Sequence, residues 1–139
     1  MEAVFKYLAR EQTRFVRELE EYLRFPSVSA QQAHRRDMHA CSHWLAQHCR
    51  QLGRASEVVA TPGHPVVIAR TWRGRRPAKP HFLVYGHYDV QPPDPLELWD
   101  SPPFAPRRVG KYLYARGSSD NKGQHFAHLK AIEACRKTG

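Results

Sequence analysis

Six prolines crowd the stretch from Gln91 to Pro106, at positions 92, 93, 95, 102, 103 and 106. Each fixes its own φ and lacks a backbone N–H, so neither a helix nor a central strand can run through this segment. A stiff loop of this length inside a compact domain is commonly functional. It also divides the chain into a long upstream part and a short downstream one, whose patterns can be read separately.

Upstream, residues 2 to about 24 carry Phe5, Leu8, Phe15, Leu19 and Tyr22 at helical spacing, with charges on the other face. Pro26 ends that helix and biases Phe25 away from helical geometry. Ser27–Ala30 reads as a linker. A second helix is expected from about Gln32 to Leu52, with Met38, Cys41, Leu45, Cys49 and Leu52 as its core stripe and Gly53 as its C-terminal cap. Ala55–Ala60 and Val66–Trp72 are rich in β-branched residues and read as strands, with Thr61–Pro65 as the turn between them. His81–Tyr85 is an almost continuous apolar run, the pattern of a strand buried on both faces. Downstream, Lys111–Ala115 predicts a strand, Gly117–Asp120 a turn, and Lys122 to about Lys137 a third helix. The fold class is therefore α/β: two N-terminal helices, then a mixed sheet with a further helix.

A chain of 139 residues suits one domain with a modest core. No apolar run approaches the roughly 18 residues that cross a bilayer. The N-terminus lacks the apolar core of a secretory signal, so a cytoplasmic protein without a membrane partner is expected. The formal charge of +9 raises nucleic-acid binding as a reading, with Arg70, Arg73, Arg75, Arg76 and Lys79 as the densest cluster. No nucleic-acid motif accompanies the cluster and no aromatics interleave it, so a solvated loop is the expectation. Cys41 and Cys49 lie two helical turns apart, too far for a disulfide. With Cys135 they are expected to act as small apolar filler in a reducing compartment.

Two loops carry candidate chemistry. Gly86-His-Tyr-Asp89 directly follows the apolar run, and Gly117-Ser-Ser-Asp-Asn-Lys-Gly123 follows the next strand and opens a helix. In open α/β sheets, ligands bind at the carboxyl ends of strands. Imidazole and carboxylate are common zinc donors. In an extended His-x-Asp the two side chains share a side, so Asp89 can steady an imidazole ligand. His39 and His43, four apart on the second helix, lack the glutamate of a His-Glu-x-x-His motif and read as a solvated flank. His125 and His128 read as helix surface or hydrogen-bonded core. Trp99 and Phe104 read as anchors of the proline-rich loop.

The stretch Gly86-His-Tyr-Asp-Val-Gln-Pro-Pro-Asp-Pro-Leu-Glu-Leu-Trp99, followed by Ser101-Pro-Pro-Phe104, resembles the first signature of the M20 metallopeptidase family. Tyr114-Ala-Arg-Gly-Ser-Ser-Asp-Asn-Lys-Gly-Gln124 resembles the second. The resemblance is to the dipeptidase branch, the carnosine and non-specific dipeptidase-like enzymes, and is strongest over residues 80–135. It implies a zinc-peptidase-like catalytic domain that hydrolyses small peptides with two zinc ions, manganese or cobalt being possible substitutes. His87 is implied as a ligand of one metal and Asp120 as the bridge between two. Asp89 is implied in the catalytic machinery as the carboxylate behind His87. Asn121 stands where many members carry a second aspartate. A cis peptide bond after the bridging aspartate is implied at Asp120–Asn121.

The family's adjacent glutamate pair, its further aspartate and its late histidine have no counterpart here. Glu133, in mid-helix without a glutamate neighbour, is not assigned the base. Residues 1–139 are therefore expected to be the N-terminal part of a catalytic domain, without the lid or dimerisation domain and inactive alone, from a full-length parent that is a homodimer. The alternatives are a non-catalytic remnant or fold module without a working metal site, and a basic nucleic-acid-binding module.

Overall fold

The computed structural model describes residues 1–70, 80 and 82–139. Three helices form its frame: α1 (Glu2–Leu23), α2 (Arg35–Gln51) and α3 (Lys122–Thr138). Two antiparallel two-stranded sheets accompany them. Strands β1 (Ala55–Val59) and β2 (Val66–Arg70) pair with Glu57 opposite Ile68, and β3 (Arg107–Val109) pairs with β4 (Tyr112–Tyr114). The mixed α/β class is as expected, while β3 lies outside every segment the sequence marked as a strand. No helix among the described residues is long and apolar enough to cross a membrane.

The core lies where the three helices meet. Tyr22, Cys41, Leu45, Cys49 and Phe126 form one buried cluster, so the stripe expected on α2 faces inward. Trp44 stacks between Tyr22 and His48, at 4.9 Å from each ring centre. Gly53 adopts φ 69°, the left-handed conformation that closes a helix at low steric cost. The proline-rich stretch holds a single 3-10 turn, Leu96–Leu98. Trp99 anchors it as expected: its Nε1 donates to the Pro93 carbonyl at 2.8 Å, and the Arg116 guanidinium covers its ring at 5.2 Å.

Three expectations need correction. Phe5 is 62% exposed, and Tyr7 takes the buried place on the first turns of α1. The cause is polar: Tyr7 Oη donates to Glu133 on α3 at 2.8 Å, which turns the Tyr7 face inward. The run from Phe82 to Tyr85 forms no strand and is exposed, Leu83 at 95%. Its apolar pattern asks for sheet neighbours on both sides, and no strand among the described residues supplies one. Cys135 is exposed rather than buried filler, while Cys41 and Cys49 are buried and all three are free. His81, Trp72 and the basic positions Arg73, Arg75, Arg76 and Lys79 lie outside the described residues.

The segment read as a linker is also more than that. Ser27 and Val28 are fully buried. Val28 forms a parallel bridge with Val90, and Val90 N donates to the Ser27 carbonyl at 2.9 Å. The chain leaving α1 is thereby fastened alongside the first candidate loop.

Candidate metal-binding site

The structure brings His87, Asp89 and Asp120 together. His87 Nδ1 lies 3.1 Å from Asp89 Oδ1 and 3.2 Å from the Asp89 carbonyl oxygen. On the other edge of the ring, Nε2 lies 3.2 Å from Asp120 Oδ1. The side chains of His87 and Asp89 are partly covered, whereas that of Asp120 is 79% exposed and faces solvent. Asp89 thus holds the back of the imidazole, and the front opens toward a carboxylate.

This arrangement depends on how the two loops meet. Asp120–Asn121 is a cis peptide, as the family resemblance implies. Asn121 Oδ1 accepts from His87 N at 3.2 Å, while its Nδ2 donates to Gln124 Oε1 at 2.6 Å, which fixes the amide orientation. The same Oδ1 accepts from His125 Nδ1 at 3.2 Å. That tautomer leaves His125 Nε2 to accept from Tyr22 Oη at 2.9 Å. Burial pushes the His125 imidazole down to about 4, so the ring is neutral at physiological pH. A hydrogen-bonded line therefore runs from α1 through α3 to the backbone of His87.

Two glycines make the approach possible. A Cβ on Gly86 would stand 2.4 Å from His125 Cβ, and one on Gly123 would stand 2.0 Å from the Ser118 carbonyl oxygen. Either would force the loop away from α3.

Lys122, the first residue of α3, is fully buried. Its Nζ donates to the carbonyls of Phe25 at 2.8 Å and Tyr22 at 3.2 Å, and lies 5.0 Å over the Tyr22 ring. These carbonyls belong to the end of α1, where a cation meets the negative pole of the helix. Burial pushes the ammonium down to about 8. Lys122, next to the cis-bonded pair, is thus tied to the end of the first helix.

On the far side, Ser29 Oγ donates to Asp89 Oδ2 at 2.5 Å, and Ser27 Oγ donates to the Tyr88 carbonyl at 2.6 Å. Sequence reading missed Ser29 because it sits 60 residues from Asp89 and nothing local marks it. It gave His125 and Tyr22 no part in the site, and it marked Asn121 only as standing in place of a second aspartate and following the implied cis bond, not as a hydrogen-bond partner of His87. His39, His43 and His128 are exposed and stand apart from the site, in line with their expected surface role.

The donor set suits a divalent metal. Two ligands at about 2.0–2.1 Å in tetrahedral disposition stand about 3.3 Å apart. His87 Nε2 and Asp120 Oδ1, at 3.2 Å, are spaced for that, and Asp89 stands where an outer carboxylate would steady a metal-bound imidazole. No group of three or more His, Cys, Asp or Glu side chains among the described residues is placed to hold a metal ion.

Comparison with known proteins places the chain in a family. Residues 83–139 match the family described as Peptidase family M20/M25/M40. The chain is 30% identical to the Cys-Gly metallodipeptidase of Candida albicans over all of its own length and 31% of the relative's. It is 39% identical to the succinyl-diaminopimelate desuccinylase of Bordetella avium over 67% of this chain and 24% of that protein. The solved structure of human carnosine dipeptidase 1 superposes with a TM-score of 0.88 at 32% identity, covering 98% of this chain and 31% of the other. The chain belongs to the M20 family of metallopeptidases. Within that family its full-length likeness is to the dipeptidases, and it spans about a quarter to a third of the length of these relatives.

Proposed function

We propose that this chain supplies the first part of the metal site of a hydrolase that cleaves small peptides, with zinc held by His87 Nε2 and Asp120. The observation that carries this reading is the 3.2 Å spacing of those two donors with Asp89 behind the imidazole. Zinc held there would polarise a scissile carbonyl and lower the pKa of a bound water. The chain's own residues do the rest of what is assigned here. Asp89 keeps the Nδ1 proton of His87, so that Nε2 presents its lone pair outward. Asn121 and Lys122 hold the loop that carries Asp120 opposite the ring.

Two side chains fall short of the four donors that zinc usually takes. The remaining donors and the general base must then come from residues that do not meet these two here, and we place residues 1–139 in one part of a larger catalytic domain. The resemblance extends this reading to a pair of zinc ions bridged by Asp120, with manganese or cobalt as substitutes, in a homodimeric enzyme. Dipeptides are the proposed substrates because the full-length likeness is to dipeptidases. The desuccinylase relative makes an acyl-amino acid the second choice. The lack of a third donor among the described residues supports one rival reading, a fold module without a working metal site.

Zinc titration separates these readings. The chain should bind zinc weakly, and His87→Ala or Asp120→Ala should each reduce that binding at least about tenfold. Binding that is unchanged in both variants, or absent in the parent chain, would leave the rival standing.

A further inference from the structure

Asp89 has two carboxylate oxygens, and the structure gives each a different partner. Oδ1 faces His87 Nδ1 at 3.1 Å, and Oδ2 accepts from Ser29 Oγ at 2.5 Å. The hydroxyl is itself held. Ser27 and Val28 before it are buried, the Val28–Val90 bridge fixes the register of the two segments, and His64 Nε2 lies 2.9 Å from the Ser29 carbonyl oxygen. Ser29 therefore stands on a fastened backbone rather than on a free loop.

We propose that Ser29 is a positioning residue for the metal site: its hydroxyl fixes the rotation of the Asp89 carboxylate, and through it the tautomer and orientation of His87. The terminal torsion of an aspartate is broad and roughly two-fold. One hydrogen bond to Oδ1 leaves that torsion loose, whereas a second donor on Oδ2 from the opposite side defines it. A charge-assisted O–H···O⁻ contact is also among the stronger hydrogen bonds a side chain can make. With the carboxylate fixed, the Nδ1 proton is held in place and Nε2 stays free to coordinate. Tyr88, between the two site residues, reinforces the frame: its backbone carbonyl takes the Ser27 hydroxyl, and its own hydroxyl donates to the Pro65 carbonyl at 2.6 Å. This inference rests on the metal-site reading for its functional meaning but not for its geometry.

The test compares the parent chain with Ser29→Ala and Ser29→Thr. Nitrogen-15 NMR of the metal-free chain, at a pH where the ring is neutral, reads the tautomer of His87 directly. The parent should populate the Nδ1–H form, Ser29→Ala should shift population toward Nε2–H, and Ser29→Thr should restore the parent pattern. Zinc titration of the same three proteins should show roughly tenfold weaker binding for Ser29→Ala, the low end for groups that orient a ligand from outside, and recovery in Ser29→Thr. An unchanged tautomer population in Ser29→Ala overturns the proposal. Absence of zinc binding in all three proteins overturns the metal-site reading instead, and the tautomer comparison still decides the role of Ser29.

Discussion

Replacing Glu133 with glutamine probes the charge network that brings α1 and α3 together. Glu133 is 5% exposed. Its Oε1 accepts from Tyr7 Oη at 2.8 Å and Arg14 Nη2 at 2.5 Å, and its Oε2 accepts from Lys130 Nζ at 3.0 Å. Burial alone would push the carboxyl up. The hydrogen bonds from Arg14, Lys130 and Tyr7 outweigh it and hold the group down to about 2. Stranding one charge of a buried pair costs about 3–5 kcal/mol. Glutamine strands neither cation, because Arg14 keeps Glu11 and Glu18 at 2.8 Å each and Lys130 keeps its contact with Glu18. What remains is the loss of charge assistance and an amide NH₂ turned toward one cation, which amounts to about 2 kcal/mol.

Urea unfolding at neutral pH should therefore show Glu133→Gln less stable by that amount, with an unchanged denaturant slope. The pH dependence carries the sharper check. The folded-state pKa lies below the ordinary value of 4.5, so the stability it contributes is complete above that value and is lost as pH falls toward 2. The gap between the two proteins should narrow as pH falls below 4.5 and close at about pH 3, each pKa unit being worth about 1.4 kcal/mol. A loss below about 0.5 kcal/mol, the range of ordinary surface substitutions, or a gap that does not change with pH, would refute the assignment of Glu133 as the charged centre of the α1–α3 contact.

Two further outcomes concern His48 and Gly123. Burial, reinforced by Lys130, holds His48 down to about 4 against its ordinary 6.5. The unfolded chain therefore takes up this proton first as pH falls, and the parent should lose on the order of 2 kcal/mol from this residue between pH 6.5 and 4. His48→Gln should show a shallower slope of unfolding free energy in that interval, and equal slopes would count against a neutral buried His48. Gly123→Ala should destabilise by about 3 kcal/mol, the upper end for overpacking, because its Cβ would meet a backbone oxygen at 2.0 Å. Thermal unfolding checks this, and a variant as stable as the parent would mean that the Ser118 turn can yield.

What the sequence made legible was what is written locally. The α2 stripe of Met38, Cys41, Leu45 and Cys49 repeats at the helical period, and one face of a helix has only one core to meet. His87, Asp89 and Asp120 are singled out by two short loops and the signatures these resemble, and the structure brings the three side chains together. Phe5 was misplaced because a hydrophobic stripe two residues wide leaves its facing direction free. The Tyr7–Glu133 hydrogen bond, 126 residues apart, sets that direction. Phe82–Tyr85 was misread for a similar reason: an apolar run states that both faces need cover but not which segment provides it.

The same distinction separates the ligands from their geometry. The proposed donors are His87 and Asp120, with Asp89 behind the ring, and on that proposal the pair works only if the imidazole proton sits on Nδ1 and the carboxylate behind it cannot turn. On the proposed reading Ser29 meets those conditions, placed by the Val28–Val90 bridge, from a stretch whose local pattern says only that the helix has ended. Substitutions at residues 27–29 should therefore act on metal binding while leaving the helical signal nearly intact, whereas substitutions in the α1–α3 charge network should act on stability first. Measuring zinc affinity and helical circular dichroism on Ser29→Ala and Glu133→Gln side by side distinguishes the two. Parallel losses of both signals in Ser29→Ala would place that residue in the fold rather than in the site.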